Sequence, residues 1–135
     1  MHQSYEHLLE HPADFRVAYR FYDENEGGRK KLPYQGYRSD FWYDYEGHDV
    51  IRKVYMIWPE FENIEGELIL EDDGPVSQTG TARMWILIPT TRRYHQDKIS
   101  VGLKCYFMEG SRKVAECSVI EIVGLKENPI EDVID

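Results

Sequence analysis

The sequence predicts an all-β fold, an antiparallel barrel of six to seven strands. Three observations carry that expectation. Short runs in which every second residue is apolar recur along most of the chain, the period of a strand with one buried face. Gly-containing turn clusters separate those runs. Aromatic residues make up 13% of the chain, Tyr alone occurring ten times, a weighting that suits a pleated, half-buried surface. At 135 residues the chain has the length of one domain.

The elements follow in order. Residues 1–13 form a leader in which Tyr5, Leu8 and Leu9 make one face of a short helix that stops near Pro12. Strands are expected over 15–22, 37–45, 50–58, 66–70, 82–88, 99–108 and 113–123. In the second, Phe41, Tyr43 and Tyr45 share one face and Asp40, Trp42 and Asp44 the other. Over 82–88 the residues are apolar on both faces, Met84, Ile86 and Ile88 against Trp85 and Leu87, so that strand should be covered on both sides. The expected core is Phe15 or Val17, with Phe41, Tyr43, Met84, Ile86, Ile88, Leu103 and Phe107. Turns are expected at Glu26-Gly27-Gly28, Glu71 to Pro75, Gln78-Thr79-Gly80 and Glu109-Gly110-Ser111. Residues 126–135, rich in acids, read as a loosely held tail.

Two blocks of sequence resemble a known family. Gly27-Gly28-Arg29, then Gly36-Tyr37-Arg38 and the aromatic run Phe41-Trp42-Tyr43-Asp44-Tyr45, are similar to the GGR loop and the GYRPQFYFRT-like strand of the C-terminal β-barrel domain of translation elongation factor Tu. Gly102-Leu103-Lys104 and Glu109-Gly110-Ser111-Arg112-Lys113-Val114 are similar to its GLRFAIREGGRTVGAG hairpin. The likeness spans about residues 14–125 and implies a barrel of that kind, free-standing and without the GTPase domain. In the family the barrel docks on protein partners and touches the T-stem backbone of aminoacyl-tRNA. Carried over by position, the resemblance implies a binding rim of Gly28, Arg29, Lys30, Tyr37 and Arg38. Ser39, Asp40 and Asp44 depart from the family's Pro, Gln and Arg, and Ala115, Glu116 and Cys117 replace its small Gly-Ala-Gly stretch. An acid at position 40 repels a phosphate where Gln could donate to it.

Other chemistry is sparse. No Gly-x-x-x-x-Gly-Lys-Ser/Thr loop and no Asn-Lys-x-Asp string occurs, so no guanine nucleotide site is expected, and no cofactor. His7-Leu8-Leu9-Glu10-His11 matches a zinc-protease string, but it stands beside Pro12 with no long helix to carry it. His48 and His95 fall in expected loops and read as polar surface. Trp42, Trp58 and Trp85 read as packing residues. Cys105 and Cys117 lie on the two arms of the hairpin around Gly110. They are near enough for a disulfide, although a reducing compartment favours two buried thiols.

The charge balance, sixteen basic against twenty-five acidic residues for a net −9, opposes nonspecific attraction to nucleic acid and anionic membrane. No apolar run approaches the roughly 20 residues of a membrane span, and the first residues lack the pattern of a signal peptide. The expectation is a cytoplasmic, non-catalytic module that binds a protein partner. The alternative is an RNA or tRNA contact through Arg29, Lys30 and Arg38, and an enzyme with a site in the barrel mouth is the third reading.

Overall fold

A computed structural model describes residues 1–45 and 53–131. Six antiparallel strands form one sheet: β1 (Phe15–Phe21), β2 (Asp40–Tyr43), β3 (Ile57–Phe61), β4 (Thr79–Ile86), β5 (Lys104–Glu109) and β6 (Arg112–Ile122). Their order across the sheet is β2-β5-β6-β1-β4-β3. The sheet curls until its two edge strands approach, and Phe41 and Tyr55 exchange backbone hydrogen bonds of 2.9 and 2.7 Å across the gap. Closure matters because an open edge exposes unpaired amide and carbonyl groups. The fold is therefore all-β and barrel-like.

β1 is the central strand and shows why the sequence folds this way. Phe15, Val17, Tyr19 and Phe21 are buried while Arg16, Ala18 and Arg20 are half-buried, a strict two-residue alternation. The buried set meets Phe41, Phe61 and Phe107 in a lattice of edge-on and tilted rings 5.2–6.5 Å apart, the geometry favoured by aromatic quadrupoles. Met84 and Ile86 complete the interior as expected, and Leu103 packs against it half-buried. Ile88 does not belong there. It is 41% exposed, because β4 ends at Ile86 and the chain turns into a 3-10 segment (Pro89–Thr91) that begins with Pro89, which cannot donate to a ladder.

The outside of β3 and β4 is also covered. Helix α1 (Tyr5–Leu9) is capped by the Ser4 side chain and ended by Glu10 in the left-handed region, φ 60°. It lays Tyr5 edge-on against Trp85 at 5.9 Å. Beneath it, the buried Glu60 carboxylate accepts from the Trp85 indole at 3.1 Å and the Tyr5 amide at 2.9 Å, and lies 2.6 Å from His2 Nε2. The leader is thus fastened to the sheet.

Expected boundaries shift at several places. The strand expected over 66–70 is instead a turn-back that meets Glu62 at one bridge, Leu68. The Gln35 amide fills the vacant pairing there, bonding both backbone groups of Phe61 and the Ile69 carbonyl at 2.8–2.9 Å. Of the strand expected over 50–58, residues 50–52 lie outside the described residues, and the pairing centres on β3. Gln78-Thr79-Gly80 is not wholly a turn, since β4 begins at Thr79.

The segment after β4 carries a second helix, α2 (Arg92–Gln96), where a loop was expected. Arg92 is why it packs. It is 1% exposed and donates to Asp14 Oδ1 at 2.9 Å, to the Ile86 carbonyl at 3.1 Å, and to the Pro129 carbonyl. Asp14, fully buried, also accepts from the Ile86 amide at 2.8 Å and the Asn128 amide at 2.9 Å. The expected loose tail is held as far as Asn128, which is itself 5% exposed; residues 132–135 lie outside the described set.

Cys105 and Cys117 pair directly across β5 and β6 as buried thiols, their sulfurs 3.0 Å apart. Burial pushes the Cys117 thiol well above its ordinary pKa. Among the described residues no helix is long and apolar enough to cross a membrane.

Removing one partner from a buried ion pair strands the other charge. Arg92→Met should therefore cost about 3–5 kcal/mol in urea unfolding, whereas a loss below about 1 kcal/mol would place Arg92 at the surface.

Candidate functional site

The rim expected from sequence forms in part. A 3-10 turn (Glu24–Glu26) follows β1, closed by a reciprocal cap in which Asp23 accepts from the Glu26 amide and Glu26 from the Asp23 amide. Gly27 ends it with φ 89°, a conformation glycine adopts without a steric penalty. Gly28 is needed for a different reason. A Cβ there would lie 2.1 Å from the Tyr22 carbonyl oxygen, so the backbone can fold back on β1 only with no side chain.

This fold-back delivers Arg29 to the β5–β6 turn. Its guanidinium donates to Glu109 and to the Lys31 carbonyl at 3.0 Å, and lies 4.9 Å from the Tyr37 ring centroid. The Tyr37 hydroxyl donates to the same Glu109 oxygen, and Arg112 donates to the other at 3.2 Å. Burial raises the Glu109 carboxyl, but the hydrogen bonds from Tyr37 and Arg29 outweigh it and hold the carboxyl below the ordinary value. Burial and the bond to Glu109 push the Tyr37 hydroxyl up, so it remains a donor. Lys30 and Lys31 stay exposed beside this cluster. A concavity of about 430 Å³ opens between Glu24, Gly27, Gly28, Arg29, Lys30 and Arg112.

Arg38 is elsewhere. Arg38 is exposed, whereas Tyr37 before it is half-buried. Tyr37 turns in against Phe21, while Arg38 lies over the Trp58 ring at 4.6 Å. Gly28, Arg29, Lys30 and Tyr37 therefore gather at one end, and Arg38 joins the α1 side instead.

The remaining guanidiniums of the strands are also engaged by carboxylates. Arg16 and Arg83 converge on the buried Glu62, Arg16 reaching on to Glu121, and Arg20 bridges Glu26 and Glu116. Burial raises the Glu62 carboxyl, yet bonds from Arg16, Thr81 and Arg83 bring it below the ordinary range. These forks are already satisfied within the protein.

The zinc-like string does not assemble. α1 ends at Leu9, so His11 is not one turn along the same helix from His7. His11 bonds the Pro12 carbonyl instead, and His7 is exposed.

A second concavity went unread in the sequence. His95, expected as polar surface, is 1% exposed on α2. Its ring meets Tyr55 edge-on at 4.7 Å and Tyr94 at 5.3 Å, and its Nδ1 lies 2.6 Å from the Tyr43 hydroxyl. Burial, then the charges of Lys98 and Lys53, lower His95 to about 4, so the ring is neutral at pH 7. Burial also raises the Tyr43 hydroxyl. Nδ1 is the only acceptor within reach of the Tyr43 hydroxyl among the described residues. With the hydroxyl donating there, the ring proton falls on Nε2, which is buried and without a partner among the described residues. His48, the other expected loop histidine, lies outside the described residues.

No protein-family model and no curated protein matches this sequence.

Two outcomes follow from these geometries. In an NMR pH titration His95 should protonate near 4 and show the Nε2–H tautomer above it; titration at the ordinary histidine value of about 6.5 would mean the ring is solvated. Glu109→Gln should cost about 1 kcal/mol at pH 7, reduced by partial exposure from the value for a charged hydrogen bond. Because the folded carboxyl is held low, its stabilisation exists above the unfolded pKa and is lost as pH falls through the folded one. The gap between wild type and variant, followed by denaturant unfolding across the acid range, should close at the acid end.

Proposed function

We propose that this chain is a cytoplasmic, non-catalytic β-barrel module that binds a protein partner through the end of the barrel bearing Gly28, Arg29, Lys30 and Tyr37. One observation carries this reading. Glu109 fixes Arg29, Tyr37 and Arg112 in a single cluster, beside which Lys30 and Lys31 remain exposed. The cluster is a preordered, locally cationic patch on a chain of net charge −9. Arg and Tyr are the residues that anchor protein interfaces, and prior ordering reduces the entropy lost on docking. The chemistry suits an acidic segment of a partner.

The resemblance of the Gly27-Gly28-Arg29 and Gly36-Tyr37-Arg38 blocks to the elongation factor barrel is what suggests a partner in the translation machinery, and that link is one of analogy. The RNA alternative is weaker. Arg29 is held by Glu109, and Arg38 sits apart over Trp58, so the guanidiniums assigned to phosphate do not form one surface.

A photo-crosslinking residue at position 30 tests this in cells. The expected adduct is a protein, unchanged by nuclease; with the crosslinking residue placed instead at the exposed Asn25 of the adjoining turn, the adduct is lost in the double variant Lys30→Glu, Lys31→Glu. Thermal stability should barely move, since surface charges contribute little. An adduct removed by ribonuclease, with binding that falls steeply with salt, would reverse the assignment in favour of RNA.

A further inference from the structure

The concavity beside His95 lies away from the loop discussed above. α2 joins β4 to the start of β5, so it sits at the opposite end of the β5–β6 hairpin from the turn that carries Glu109. The cavity has a volume of about 540 Å³, within the roughly 300–1,000 Å³ of small-molecule pockets. Its walls are largely apolar, made by Tyr55, Met56, Ile88 and Tyr94. This also accounts for the two apolar side chains that stand exposed there, Met56 at 46% and Ile88 at 41%.

Polar groups on the described lining come from His95, Lys53, Asp40 and the Thr90 and Thr91 hydroxyls. His95 lines the cavity, and its Nδ1 is taken by Tyr43. That leaves the Nε2–H buried and, among the described residues, unsatisfied. Leaving such a donor without an acceptor costs about 1–3 kcal/mol, and buried polar groups are rarely left so. Lys53 adds a second, charged donor on the lining. Asp40 is the one acid among the described lining residues.

We propose that this cavity binds a small, mainly apolar molecule bearing a carbonyl or carboxylate oxygen, which accepts a hydrogen bond from His95 Nε2–H while its apolar body lies against Tyr55, Tyr94, Met56 and Ile88. A carboxylate gains a further contact from Lys53, and a neutral carbonyl does not. Tyr43 acts as the positioning residue: its hydroxyl, occupied with Nδ1, fixes the tautomer that presents the donor. A cationic ligand is disfavoured by Lys53 and by Lys98, whose ammonium lies 3.8 Å from the Tyr94 ring centroid.

Benzamide and benzoate, titrated separately into ¹⁵N-labelled full-length protein, test this. At least one should shift the His95 Nε2–H resonance and the backbone amides of Met56 and Tyr94, with a Kd of about 1 mM, ordinary for so small a ligand. His95→Phe keeps the bulk and removes the donor, and should weaken binding roughly tenfold, the worth of one hydrogen bond. Ile88→Trp fills the cavity from an exposed position without touching the Tyr43–His95 pair, and should abolish binding even if His95→Phe does not fold. Tighter binding of benzoate that is lost in Lys53→Gln assigns a carboxylate; equal or tighter binding of benzamide assigns a neutral carbonyl. The proposal is overturned if neither compound moves the His95 signal at about 10 mM, or if binding survives in Ile88→Trp.

Discussion

A barrel this small depends on tying its chain ends, and one buried ion pair does so. Asp14 stands just before the central strand β1, Arg92 opens the helix after β4, and Asn128 belongs to the segment after β6. All three meet at one carboxylate. The backbone joins in: the Asp14 carbonyl accepts from the Val123 and Leu125 amides, and its own amide donates to the Met84 carbonyl. Desolvating two charges is costly, and a pair of this kind specifies an arrangement more than it lowers the energy of one. Here it selects where α2 docks. Position 95 is three residues beyond Arg92, nearly one helical turn, so the ion pair also determines where the His95 ring is buried.

The two ends of the barrel are built by different physics. At the β5–β6 turn the components are charged and compensated, with Glu109 receiving Arg29, Tyr37 and Arg112. At the α2 end they are aromatic and neutral, four rings of Tyr43, Tyr55, Tyr94 and His95 in contact. The first end suits recognition of another macromolecule's charges. The second suits a dry contact with few, directed hydrogen bonds. Both rest on the same closed sheet, since the Phe41–Tyr55 bridge that joins its edges also places Tyr55 against Tyr43 and His95.

Charge is distributed in a way the net value of −9 hides. Arg16, Arg20 and Arg83 project from the outer faces of β1 and β4, and each meets a carboxylate from a neighbouring strand or turn. Cross-strand pairs of opposite sign support a sheet, so these arginines serve the barrel's outer surface. What remains exposed and cationic near the Gly28 turn is chiefly lysine, a point charge on a flexible stem and not a planar fork.

The sequence by itself determined the class of the fold and most of its interior. Period-two alternation in β1 marks a buried face with no knowledge of partners, because side chains of a strand alternate by local geometry alone, whereas in β2 Trp42 is buried on the opposite face as well. The turn at Gly27-Gly28 and the hairpin at Gly110 were legible for the same reason, being local backbone requirements. Only the tertiary structure decided the rest. His95, Arg92 and Asn128 look like loop polarity in the sequence, and their burial arises from partners 52–114 positions away that no local pattern encodes. The sequence places Arg38 with Arg29 on a shared rim, yet Tyr37 turns in against Phe21 while Arg38 lies over Trp58. Local periodicity fixes which face of a strand is wet, whereas the meeting of distant polar groups depends on how the sheet closes.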